Sequence, residues 1–166
     1  MMKCAFTGFE AGRMARAAVR DVAVSFKSSV MVARALRGLP SDKALLFLQR
    51  VMRKEAAVPF TRFTNGAGHR RGIGPGKYPV KAAASFLELL KQGVANAENK
   101  GLSGPFRIVH VLANEGGRPL HPGSRRSRLM KRTHLELVLA EEGAGICGVL
   151  VPGGADDRTP SPPGYV

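Results

Sequence analysis

The sequence predicts an α+β domain, with three helices packed on a small antiparallel three-stranded sheet and one long β-hairpin protruding from it. Three observations carry that expectation. Apolar residues recur at helical spacing in three separate segments, and they alternate with period two in others. The strand-like segments are not separated by regular helical crossovers, which argues against a parallel α/β sheet. Two further stretches, Val58 to Tyr78 and Glu115 to Arg132, follow neither period and are strongly basic.

An N-terminal arm carrying Arg13, Arg16 and Arg20 leads into Val22, Val24 and Phe26, whose alternation with Ala23 and Ser25 predicts the first strand. Ser28 or Ser29 is placed to cap a helix through Val30, Ala33 and Arg34 toward Arg37, which Gly38 and Pro40 end. Ser41 or Asp42 opens a second helix with Ala44, Leu45, Leu48, Val51 and Met52 on one stripe. Its Lys43, Arg50 and Arg53 fall largely elsewhere and read as a solvated face. Pro79 suits the first turn of a third helix, in which Val80, Ala83, Leu87, Leu90, Val94 and Ala97 recur until Gly101.

After the Ser103-Gly104-Pro105 break, Phe106, Ile108, His110 and Leu112 take one side of a strand, and Arg107, Val109, Val111 and Ala113 the other. Leu135, Leu137 and Leu139 predict its partner, so the hairpin spans roughly residues 107–140. From Gly143 the chain is aperiodic and rich in Gly and Pro. The expected organisation is therefore one domain over residues 1–142 and a tail over 143–166.

Composition narrows the function. The chain holds 166 residues, with 26 Lys and Arg against 12 Asp and Glu, a formal charge of +14. A self-repelling charge of that size persists most easily where a polyanion neutralises it, and nucleic acid is the commonest polyanion in a cell. With 44% apolar residues but only 6% aromatic, the core must be real and mostly aliphatic. Cys4 and Cys147 show no paired spacing, which argues against a disulfide framework or a structural zinc site and fits a reducing, cytoplasmic setting. Apolar runs such as Ala44 to Leu48 are too short to span a bilayer, and no basic amphipathic helix suggests a membrane surface.

The two aperiodic stretches are the informative ones, because a long irregular excursion inside a small domain tends to be functional. The first offers Arg62, Asn65, His69, Arg70, Arg71 and Lys77, with Lys81 just beyond, and holds no acidic residue between Ala56 and Leu87. Its glycines let backbone approach a phosphate, and arginines grip phosphate oxygens bidentately. A nucleotide loop fails on inspection, since Arg71 and Tyr78 stand where Gly and Ser or Thr are needed. The second excursion offers Arg118, His121, Arg125, Arg126, Arg128, Lys131 and Arg132, with no acid between Glu115 and Glu136. Irregular RNA would supply a surface for such an arm through phosphates, 2′-hydroxyls and splayed bases.

Catalysis finds little support. His69, His110, His121 and His134 are dispersed, and no nucleophile, base and acid assemble from local spacing. No cofactor, metal or small-molecule substrate is expected.

The run Pro59-Phe60-Thr61-Arg62-Phe63, followed by Gly-Ala-Gly-His-Arg-Arg-Gly-Ile-Gly-Pro-Gly-Lys-Tyr-Pro-Val-Lys-Ala-Ala through Ala83, closely resembles the archaeal form of a universal large-subunit ribosomal protein family. That family is numbered twenty-two in bacteria and seventeen in eukaryotes. Phe6-Thr7-Gly8-Phe9, Ser25-Phe26-Lys27-Ser28-Ser29, Ala95-Asn96-Ala97-Glu98, Arg107-Ile108-Val109-His110 and Lys131-Arg132-Thr133-His134 agree as well, in order, over roughly residues 3–142. The resemblance implies binding to large-subunit ribosomal RNA, neighbouring large-subunit ribosomal proteins as partners, and a hairpin tip that lines the polypeptide exit tunnel and meets the nascent polypeptide. It adds Lys27 to the candidate RNA contacts named above. At the tip the chain departs from the family's usual Pro-Arg-Ala-x-Gly-Arg-Ala, reading His121-Pro122-Gly123-Ser124-Arg125-Arg126-Ser127-Arg128. A free RNA chaperone or regulator on the same scaffold is the alternative, with an RNA-processing enzyme third.

Overall fold

The computed structural model describes residues 5–123 and 127–141. Arg125, Arg126 and the tail expected over 143–166 lie outside the described residues. Within them the chain is α+β: helices α1 (Phe26–Leu36), α2 (Ser41–Met52) and α3 (Val80–Asn99) combine with antiparallel sheets. Strands β1 (Met14–Val22), β5 (Phe106–Glu115) and β8 (Thr133–Glu141) form a sheet in the order β1-β8-β5. A second sheet in the order β2-β4-β3 joins β2 (Val58–Pro59), β3 (Gly68–Arg70) and β4 (Gly74–Lys77). The last pair is β6 (Leu120–His121) with β7 (Arg128–Leu129).

The first strand lies earlier than the sequence predicts. Met14 to Val22 pair with β8, whereas Phe26 opens α1 with Ser25 as its N-cap residue. The alternation of Val22, Val24 and Phe26 loses to the helical stripe that begins there, since α1 buries Met31, Val32, Ala33 and Leu36. β1 gives little strand signal of its own because its inward positions are Ala15 and Ala17, small residues that let a helix approach. The helix that approaches is α3, through Gly93. A Cβ there would lie 3.0 Å from Leu137 Cδ2 and 3.1 Å from Leu139 Cδ1.

α3 is rotated relative to the expected stripe. Its buried residues are Ala82, Ala83, Phe86, Leu89, Leu90, Gly93 and Ala97, while Leu87 and Val94 sit half-buried at the margin. The helical period holds and its phase is displaced, because Gly93 carries no hydropathy and yet marks the line of closest approach.

β8 is central and buried on both faces. Leu135, Leu137 and Leu139 join the main core beneath the helices, and Val138 and Ala140 join a smaller cluster with Met14, Phe6, Phe9 and Val109 on the opposite face. β5 departs from simple alternation: Phe106 and Ile108 are buried in the main core, and so are Val111 and Ala113. A register shift between Ile108 and His110 inserts one residue against β8 and moves His110 and Leu112 out of that core. His110 packs instead against Phe6, with ring centroids 5.3 Å apart, and its Nε2 is shut off from solvent with no hydrogen-bond partner among the described residues.

The burial pattern and the orphaned imidazole each generate a measurable outcome. Leu90→Ala should cost about 2–5 kcal/mol in chemical unfolding of the free chain, and Leu87→Ala distinctly less. Burial, reinforced by Arg37, lowers the His110 pKa below its ordinary value near 6.5. The unfolded chain therefore binds a proton that the folded one refuses, so the contribution is full above 6.5 and is lost as pH falls through the window below it. Unfolding melts between neutral and mildly acid pH should show that loss in the wild type, and it should shrink in His110→Leu.

Candidate nucleic-acid interface

The first basic stretch is a folded unit rather than a loop. Val58, fully buried, and Phe60, 2% exposed, anchor it to the main core, and Phe60 N–H donates to the Pro75 carbonyl at 2.9 Å. β3 and β4 then pair His69 with Pro75 and Arg70 with Gly74. Their connecting turn runs through Arg71 and needs positive φ at Gly72 and Gly74, 77° each, which only glycine adopts without strain. The sequence suggests these glycines as phosphate approach points; in the fold, two of them first close the turn that exposes Arg70 and Arg71. The Arg70 guanidinium lies 5.0 Å from the Tyr78 ring centroid, and the Lys77 ammonium 5.2 Å from that of Phe60. Lys77 Nζ also donates to the Asn65 carbonyl at 2.5 Å. Aromatic rings and backbone carbonyls thus hold these cations in place without consuming their charge on carboxylates.

The second basic stretch continues the β5–β8 ladder. Past Glu115 opposite Thr133, Gly116 N–H donates to the Arg132 carbonyl and Met130 N–H to the Pro119 carbonyl, both at 2.9 Å. Leu120 then pairs with Leu129, and His121 with Arg128. Leu120 and Leu129 are 63% and 59% exposed, so the outer pair offers apolar side chains as well as charge. Arg118 forms an ion pair with Glu115.

The two stretches meet at a cavity of about 530 Å³ lined by Lys27, Phe63, Arg118, Leu129, Lys131 and Arg132, together with Ser25, Phe26 and Glu115. Lys27, from the first turn of α1, holds its ammonium 5.5 Å from the Phe63 ring centroid. Arg132 donates to the Asp21 carbonyl at 3.3 Å, which ties the base of the hairpin to β1.

The sequence profile of the family described as ribosomal protein L22p/L17e matches residues 17–140, most of the chain. The chain belongs to that family. The large ribosomal subunit protein uL22 of Picrophilus torridus is 40% identical over 136 residues, covering 79% of this chain and 91% of the relative. Its counterpart in Hyperthermus butylicus is 38% identical over 142 residues, 78% of this chain and 91% of the relative. That of Thermoplasma acidophilum is 42% identical over 106 residues, 63% and 70% of the two chains.

Within this L22p/L17e chain the fold brings only some of the candidate residues together. Lys27, Arg118, Lys131 and Arg132 share the cavity, while Arg70, Arg71 and His69 stand exposed on the β3–β4 hairpin. Arg62, Asn65 and Lys81 are exposed, Lys77 half-buried, and His121 and Arg128 lie at the outer pair. Sequence reasoning leaves out Phe63 and Leu129 as site residues. Phe63 is 38% exposed with φ 59°, and a bulky residue in the left-handed region leaves no trace in hydropathy. Among the described residues no cluster of His, Cys, Asp or Glu could hold a metal, and no helix is long and apolar enough to cross a membrane.

Arg70→Gln with Arg71→Gln should reduce the salt slope of RNA binding by about two, one for each phosphate no longer neutralised, with the folded stability unchanged. Titration of a large-subunit ribosomal RNA fragment across salt concentrations reads the slope, and thermal unfolding of the double variant reads the stability.

Proposed function

We propose that the chain is a structural, non-enzymatic component of the cytoplasmic large ribosomal subunit, that it binds large-subunit ribosomal RNA through both basic surfaces, and that its β5–β8 hairpin protrudes to line the polypeptide exit tunnel. The observation that carries this reading is the exposure of two acid-poor stretches: Arg70 and Lys77 of the first are held by rings and a backbone carbonyl and not by carboxylates, and Arg118, Lys131 and Arg132 of the second line a cavity that Phe63 of the first helps to wall. Membership of the L22p/L17e family and the names of the relatives support the ribosomal setting. The domain over 1–142 is the RNA-binding unit, with 143–166 as an appendage.

The hairpin reading rests on length. Beyond Thr133, where pairing to β1 ends, the ladder continues from Glu115 to His121, about 20 Å at roughly 3.3 Å per residue. Exposed Leu120, Leu129 and Met130 beside Arg118 and Arg128 give that arm a mixed surface suited to RNA on one side and a passing polypeptide on the other. Neighbouring large-subunit proteins complete the set of partners.

Co-sedimentation tests the setting: the chain should stay with the large subunit at high magnesium and moderate salt, whereas a free RNA chaperone or regulator would be released. Deleting residues 120–127 should leave incorporation intact and remove crosslinks from a stalled nascent chain carrying a photoreactive residue. An intact hairpin that gives no such crosslinks at any chain length would leave its cations to RNA packing alone.

A further inference from the structure

The cavity at the base of the hairpin has a lining unlike that of a surface that only grips phosphates. Lys27, Lys131 and Arg132 supply positive charge, and the one carboxylate, that of Glu115, is already engaged by Arg118. Beside them stand apolar groups, the Phe63 ring at 38% exposure and the Leu129 side chain at 59%, with half-buried Phe26 also on the lining. The volume, about 530 Å³, lies within the range of small-molecule pockets, about 300–1,000 Å³. We propose that this cavity captures one unstacked nucleotide of the bound RNA, with its base on Phe63 and its phosphate between Lys27 and Arg132. The inference rests on the RNA-binding reading and adds the kind of RNA element taken here.

Three features favour a flipped nucleotide over a helical stem. A duplex presents phosphates and sugars but keeps its base faces stacked away, so it would leave Phe63 and Leu129 against water. An unpaired nucleotide offers both a π-face and a phosphate within one residue, matching the mixed lining. The conformation of Phe63 points the same way. Phe60, three residues earlier, is buried in the core, whereas Phe63 is held at φ 59° beside the turn closed by Ala67 N–H on the Thr64 carbonyl at 2.8 Å. A bulky residue in that region costs conformational energy, so the surrounding turn must hold it there, and that conformation goes with a ring left at the cavity wall and not packed into the core. The Lys27 ammonium, 5.5 Å from the ring centroid, is within reach of a phosphate attached to a base stacked there.

The test uses the full chain and transcribed large-subunit ribosomal RNA, with Phe63→Leu, Phe63→Trp and Lys27→Gln. Phe63→Leu should weaken binding about 5- to 100-fold with an unchanged salt slope, because it removes a stacking surface and no charge. Phe63→Trp should restore the affinity, and Lys27→Gln should lower the salt slope by about one. Zero-length ultraviolet crosslinking should join the Phe63 peptide to a single unpaired nucleotide in the wild type and not in Phe63→Leu. Affinity for Phe63→Leu within about twofold of wild type would overturn the proposal and leave RNA binding standing. So would equal loss in Phe63→Leu and Phe63→Trp, which would mark Phe63 as a packing residue. Displacement of the RNA by adenosine monophosphate at micromolar concentration would overturn it too, reassigning the cavity to a free nucleotide. A wild-type chain that does not bind the RNA at all would refute the RNA-binding reading itself, and this inference with it.

Discussion

Strand β8 has to satisfy two neighbouring strands and two apolar faces at once, and the rest of the molecule is arranged around that requirement. Its backbone pairs with β1 on one side and β5 on the other, so its polar groups are spent within the sheet. Its odd-numbered leucines need the helices above, and Val138 and Ala140 need the cluster of Phe6, Phe9 and Val109 below. The short N-terminal arm is therefore structural cover for the second face. Arg16 and Lys100 hold it there, each within 5.5 Å of the Phe9 ring centroid. Lys100 also donates to the Met14 carbonyl at 3.0 Å, which commits one cation of the large excess to the fold itself.

The remaining excess sits where the core does not need it. A charge of +14 on a chain of 166 residues opposes compaction, and the opposition is least when like charges are spread over peripheral turns and wet faces. The structure follows that rule: Arg70 and Arg71 ride on a two-strand turn, and Arg118, Arg128 and Lys131 are exposed along the hairpin. The same placement that limits self-repulsion in the free chain presents these charges to an external polyanion. Stability and binding thus ask for one distribution of residues.

Much of this is legible in the sequence. The helical segments, the leucine face of β8 and the two basic stretches emerge directly from periodicity and composition, because each depends on side chains whose hydropathy differs sharply from their neighbours. What escapes depends on backbone events that hydropathy does not encode. The extra residue between Ile108 and His110 flips one half of β5 relative to the other, β1 hides behind alanines, and the glycine-rich stretch folds into a small sheet anchored by Val58 and Phe60. At the candidate site the cations are visible one by one. Their meeting around Phe63 is not, since Lys27 and Arg132 are joined only by the fold.

That meeting point is held in a way that suits an anionic visitor. Where the hairpin leaves the sheet, Thr133 Oγ1 donates to the Val24 carbonyl at 2.9 Å in a fully buried position, and Arg132 donates to the Asp21 carbonyl. Asp21 itself occupies the left-handed region at φ 56°, where β1 breaks register with β8, and its N–H donates to His134 Nδ1 at 3.1 Å. The ties between β1, the start of α1 and the hairpin base therefore run through backbone carbonyls and an imidazole nitrogen. Of these ties only that of Arg132 uses a cation that a phosphate would also claim, as the Arg118–Glu115 pair beside it does, whereas the Thr133 hydroxyl and the Asp21 N–H are neutral donors. The bonds of Thr133 to Val24 and of Asp21 to His134 can therefore keep the frame while the Arg132 guanidinium changes partner.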